Sequence, residues 1–148
     1  MASTIGAPAG VVATEGKPRW FSNVGEAGAF ARWGIPETDA VGFVVSCEEG
    51  GVSLLPALYA VDKPSATPGV RFIVDGDDYV RDAQLRFSEE DAAWQALVAV
   101  NAEDSLITAM RRGNELTYDF EPPLREGDAF TIDLSGSAKA IDAVLEAC

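Results

Sequence analysis

The sequence predicts a mainly β domain, an antiparallel β-sandwich or flattened barrel of about seven to nine strands with a short mid-chain helix and a C-terminal helix packed on it. Three observations predict it. Short apolar, β-branched runs such as Val41 to Cys47 and Val70 to Val74 recur between turn signals. Asp75-Gly76, lying between two such runs, is a hairpin signature, because both central residues of a type I′ turn need positive φ. Helical spacing of apolar residues occurs in two segments, 104–112 and the stretch ending at Cys148.

The chain has 148 residues, the size of one ordinary domain. We assign that domain to residues 17–148. Met1 to Gly16, built of Ala, Gly, Pro and Thr with few charges, reads as a disordered tail. It has neither a basic n-region nor an apolar h-region, so it does not read as a signal peptide. Two readings follow: a cytoplasmic protein, or an exported one whose leader has already been removed. No stretch approaches the roughly 20 apolar residues of a membrane span, so no membrane insertion is expected.

Lys17 to Asn23 opens the ordered part, with Trp20 and Phe21 as expected core anchors. Ala27 to Ile35 follows, carrying Phe30 and Trp33, and Gly34 to Asp39 is a turn punctuated by Gly and Pro. Val41 to Cys47 reads as a buried strand, Glu48 to Gly51 as a hairpin tip, and Val52 to Val61 as the return. Pro56 within that return implies a bulge or an edge position, because proline cannot donate to a ladder. Asp62 to Gly69, with two prolines, is a loop, and Val70 to Val74 a strand. Tyr79 to Phe87 alternates as one strand, imperfectly around Val80 to Asp82. Ala92 to Val100 reads as a strand leading to a helix that Asn101 or Asp104 caps, with Leu106, Ile107 and Met110 on one face. Arg111 and Arg112 suit the last turn of that helix, and Gly113 is expected to supply a left-handed cap. Glu115 to Phe120 and Ala129 to Leu134 are strands flanking a Pro-rich turn, Glu121 to Gly127. Ser135 or Ser137 is expected to cap the last helix, whose buried stripe is Ile141, Val144, Leu145 and Cys148.

Composition excludes several function classes. There are 24 acidic against 11 basic side chains, a net charge of −13, which repels nucleic-acid phosphates and anionic membranes. There is no histidine, so the usual general base and the commonest metal ligand are missing. Cys47 and Cys148 are the only cysteines. They read either as a disulfide closing a loop of about 100 residues or as two buried thiols. The bridge is favoured because a thiol at residue 148 is poorly shielded, and it implies an oxidising compartment, periplasmic or extracellular.

The remaining constellations are weak. Asp75, Asp77 and Asp78 at one turn, and Glu48 and Glu49 at another, offer oxygen ligands for Ca²⁺ but lack the EF-hand spacing, so no metal or other cofactor is expected. Glu89, Glu90 and Asp91 could form a hydrolase carboxylate pair, yet such a run is normally an exposed turn. Ser135-Gly136-Ser137 sits at a strand-to-helix joint without the Gly-x-Ser-x-Gly pattern, so no catalytic residue is assigned. A candidate contact surface is drawn from Arg32, Trp33, Tyr59, Arg111 and Arg112, the exposed aromatic and basic resources of an acidic chain.

Ala31-Arg32-Trp33-Gly34-Ile35-Pro36-Glu37-Thr38-Asp39 leads into the strand ending in Cys47; Arg112-Gly113-Asn114-Glu115-Leu116 and Phe130 to Ser137 lead towards Cys148. These segments, about half the chain, resemble the invasion-associated locus B family and periplasmic proteins associated with type VI secretion. The resemblance implies a secreted β-sandwich-like domain without established catalysis, with Cys47 and Cys148 as its bridge and the Gly-Ser helix start as a structural joint. The expected function is therefore a non-enzymatic periplasmic or cell-envelope domain that binds another protein or assists envelope assembly. The alternative is a small-molecule-binding β domain with an apolar pocket lined by aromatics around Trp33 and Tyr59.

Overall fold

The computed structural model describes residues 17–148 except 27, 39, 49–50, 65–68, 126 and 128. The expected tail, 1–16, and the tip residues Glu49 and Gly50 therefore lie outside the described residues. The chain forms β1 (Arg19–Gly25), β2 (Gly28–Gly34), β3 (Val41–Glu48), β4 (Gly51–Pro56), β5 (Tyr59–Ala60), β6 (Gly69–Val74), β7 (Asp77–Asp82), β8 (Gln84–Ser88), β9 (Ala93–Val100), α1 (Ser105–Arg112), β10 (Glu115–Glu121), β11 (Phe130–Asp133) and α2 (Ser137–Ala147).

Two antiparallel sheets result, and neither closes into a barrel. The larger runs β1-β2-β3-β4-β9, with β5 and β8 also paired to β9; the smaller runs β11-β10-β6-β7. Alternation is cleanest in β6 and β10, where Val70, Phe72, Val74, Leu116, Tyr118 and Phe120 are buried and the residues between them are not. Phe43 of β3 joins the sheets: its ring meets Phe72 at 6.2 Å, Tyr118 at 5.5 Å and Trp20 at 6.2 Å. α2 packs against β1, β2, β3 and α1, covering the part of the large sheet that the small sheet leaves bare.

The Asp75-Gly76 turn is as expected, with φ of 49° and 93° and Val74 paired to Asp77. The interruption at Pro56 is also present. Leu54 lies opposite Val98 and Tyr59 opposite Gln95, five positions on one side against three on the other, so two extra residues bulge out between β4 and β5. A second irregularity falls between β2 and β3, where Trp33 pairs with Phe43 and Gly34 with Val41. Gly42 is the extra residue, and a Cβ there would stand 2.8 Å from the Trp33 ring. The absent side chain is what lets that ring lie over the strand.

Other expectations are corrected. Tyr79 to Phe87 is not one strand: it breaks at buried Ala83, with β7 in the small sheet and β8 in the large one. Phe21 is only partly buried, because it alternates with Trp20 and so takes the outer face. Asp104 caps α1, accepting from Leu106 N at 2.8 Å. Gly113 is extended, φ −80° and ψ 177°; it is required by crowding instead, since a Cβ would meet Val74 at 2.5 Å. Neither serine caps α2. The cap is Gly136 at φ 84°, while Ser137 is buried and donates its hydroxyl to Met110 O of α1 at 2.6 Å.

Cys47 and Cys148 form a disulfide, with Cα atoms 5.5 Å apart, tying the end of α2 to β3. Cys148 itself is exposed and not on a buried stripe: α2 buries Ala140, Ile141 and Val144, and its last residues, 146–148, are exposed. Among the described residues no helix is long and apolar enough to cross a membrane.

Candidate functional site

The outer face of the large sheet carries a site that the strand registers assemble. Arg32 of β2 lies opposite Val44 of β3, and Val44 opposite Leu55 of β4, so the three form one row across three strands. Val44 and Leu55 point away from the core and are half-buried. The bulge after Pro56 then brings Ala57 and Tyr59 beside the row, and the turn before β9 brings Glu90 and Asp91. Together with Thr38 and Val41 these residues line an open groove of about 680 Å³. A second groove of about 490 Å³ shares Arg32, Thr38 and Val41 and continues towards Arg19, Phe21 and Asn23 of β1.

The wall of the groove is a fixed turn. Ile35 N donates to Ala40 O at 2.8 Å, and the Thr38 hydroxyl donates to Ile35 O at 2.6 Å and accepts from Ala40 N at 3.1 Å. Arg32 is held over the Phe30 ring at 4.6 Å and donates to Asn23 Oδ1 at 3.2 Å, a neutral acceptor. The ion pairs among the described residues involve Arg71, Arg81 and Arg111 and leave Arg32 out. Arg32 places a positive charge at one end of the groove.

The opposite end is acidic and ordered. Asp91 Oδ2 accepts from the Ser88 hydroxyl at 3.0 Å and from Gln95 Nε2 at 3.3 Å. Tyr59 is 47% exposed, and its phenol is raised above the ordinary tyrosine range by burial and then by the Asp91 charge, against the opposing hydrogen bond with Gln95. It stays protonated at neutral pH and serves as a hydrogen-bonding group, not as a base.

The five residues of the expected contact surface are thus divided. Arg32 and Tyr59 meet in one groove. Trp33, the next residue in β2, takes the other face, edge-on to Phe130 at 6.4 Å with its Nε1 buried and without an acceptor among the described residues. Arg111 is engaged by Asp142 at 2.6 Å, joining α1 to α2, and Arg112 is exposed beyond it. Sequence reasoning missed Val44 and Leu55; the signal for them is an apolar residue at an outward position of an interior strand. Of the turn at 75–78 weighed as a cation site, the Asp75 carboxylate accepts from Asn114 N and Glu115 N, and Asp78 pairs with Arg71; Glu49 of the other turn lies outside the described residues.

Comparison with protein families, with curated proteins and with solved structures finds no match for this chain.

Proposed function

We propose that this chain is a non-catalytic binding domain of the periplasm or extracellular space that docks a protein partner on the outer face of its large sheet. The observation that carries the proposal is the groove from Arg32 to Asp91, with half-buried Val41, Val44 and Leu55 as its floor and charged side chains of opposite sign at its two ends. Apolar residues at outward positions of interior strands contribute little to the core and offer desolvation energy to a partner. The Cys47–Cys148 bridge supports export, since disulfides persist in oxidising compartments. The groove volume lies in the range of small-molecule sites. Its open, mixed polar and apolar lining favours a protein segment over an enclosed small ligand.

The test is site-specific photo-cross-linking in cells of the source organism, with the cross-linking residue at Val44 in the groove or at exposed Val80 on the small sheet. A protein adduct from position 44 and none from position 80 is the expected result. No protein adduct from position 44 sinks the proposal.

A further inference from the structure

We infer that β1 is a second docking site, an open sheet edge at which the chain takes up an extended, acidic segment of a partner protein as an added strand. β1 ends the large sheet in the order β1-β2-β3-β4-β9. Among the described residues its backbone makes no backbone hydrogen bond beyond the ladder with β2. The register fixes which groups are open. Gly25 lies opposite Gly28 across a two-residue turn, and such a turn closes on a hydrogen-bonded pair. Alternation then gives Phe21 and Asn23 to the ladder with β2 and turns the N–H and C=O groups of Trp20, Ser22 and Val24 outward.

Exposed edges are normally blunted by shortness, charge or proline. The other edges follow that rule: β5 has two residues, β11 four and β8 five, and β7 carries Asp77, Asp78, Arg81 and Asp82 among its six. β1 has seven residues, no proline and one charge, Arg19 at its first position. A groove of about 380 Å³ lies beside it, between Arg19 to Ser22 and the start of α2 at Gly136, Lys139 and Ala140.

Charge selects the occupant. Arg19 and Lys139 line this groove, and among the described residues no acid does. Lys139 stands in the first turn of α2, where the helix dipole disfavours a cation, and that turn holds no carboxylate. Arg19 also lines the adjoining groove, with Arg32 as a second cation and Glu37 as its acid. A second copy docked edge to edge would bring together two such basic strips on two bodies of net charge −13 each. A polybasic segment suits the net charge but meets repulsion at this edge. A strand with carboxylates at alternate positions gains backbone hydrogen bonds from the edge and charge-assisted contacts from Arg19 and Lys139.

The experiment is a titration of the isotope-labelled, oxidised protein with capped heptapeptides, followed by amide chemical shifts and hydrogen exchange. One peptide alternates valine with glutamate; a second has lysine and a third glutamine in place of glutamate; a fourth is the glutamate peptide with its central residues changed to proline. The glutamate peptide is expected to shift amides of β1 and the start of α2 and to slow exchange at Trp20, Ser22 and Val24, with Phe21 and Asn23 unchanged. It should bind about fivefold more tightly than the lysine and glutamine peptides, and the proline peptide should not bind. Ser22→Pro removes an outward N–H that the ladder with β2 does not use, and should abolish binding. The double change Arg19→Gln, Lys139→Gln should weaken it about fivefold; the spectra themselves report whether each variant is folded. Equal binding of the lysine or glutamine peptide, or glutamate-peptide shifts confined to Val44 and Leu55, overturns the inference. So does protection of Trp20, Ser22 and Val24 that rises with protein concentration without peptide, which assigns the edge to a second copy. Cross-linking at position 44 reports on the groove alone, so the two sites stand or fall separately.

Discussion

Asp104 does two jobs with one carboxylate. Oδ1 caps α1 through Leu106 N, and both oxygens receive the Arg81 guanidinium, at 3.0 Å from Nε and 2.7 Å from Nη2. The hydrogen bond from Arg81 holds the Asp104 carboxyl below the usual aspartate range, outweighing partial burial. Because its folded-state pKa is the lower one, the unfolded chain takes up the proton first as pH falls. The contribution is complete above about pH 4, the unfolded aspartate range, and is lost on acidification through the folded-state value. Asn caps helices as well as Asp does, so Asp104→Asn isolates the ion pair. It should cost about 1 kcal/mol at pH 7 and flatten part of the fall in stability between pH 5 and pH 2. Urea unfolding at a series of pH values measures both. An unchanged pH profile in the variant would remove the ion pair as a source of acid sensitivity.

Among the elements, α2 shows what local sequence conveys and what it leaves out. Its spacing is legible, and Ile141 and Val144 are buried as expected. Its start is not, because Ser137 is drawn into a hydrogen bond with α1, a tertiary demand that leaves Gly136 at the cap. Its exposed last residue is not either: periodicity assigns a face but not how far a neighbour extends over it. The same limit split Tyr79 to Phe87, whose alternation continues through the crossing from one sheet to the other at Ala83. The groove is a product of register, joining residues 32, 44, 55 and 91 that nothing local relates. What secures α2 at its far end is the disulfide, which spans 101 positions. Since Cys148 is exposed, Cys148→Ser removes the tether with little loss of packing. The expected cost is about 2–5 kcal/mol, with the chain-entropy account placing a loop of this length near 4.7 kcal/mol. Urea midpoints of the variant and of the wild type under reductant should coincide. A variant as stable as the oxidised wild type would mean that core packing of α2 alone holds the helix.

At the scale of the whole molecule, net charge sets the salt dependence of stability. With 24 acidic against 11 basic side chains, repulsion among carboxylates outweighs attraction. Folding compresses that repulsion, and salt relieves it. Raising NaCl from 0.01 M to 0.1 M shortens the screening length from about 30 Å to about 10 Å, a distance comparable with the spacing of charges across the sheet. Thermal stability should therefore rise, by about 1 kcal/mol or roughly 2–4 °C for a chain of this size. Calorimetry at the two salt concentrations measures the shift. A midpoint that falls with salt would show that the fold relies on its few ion pairs.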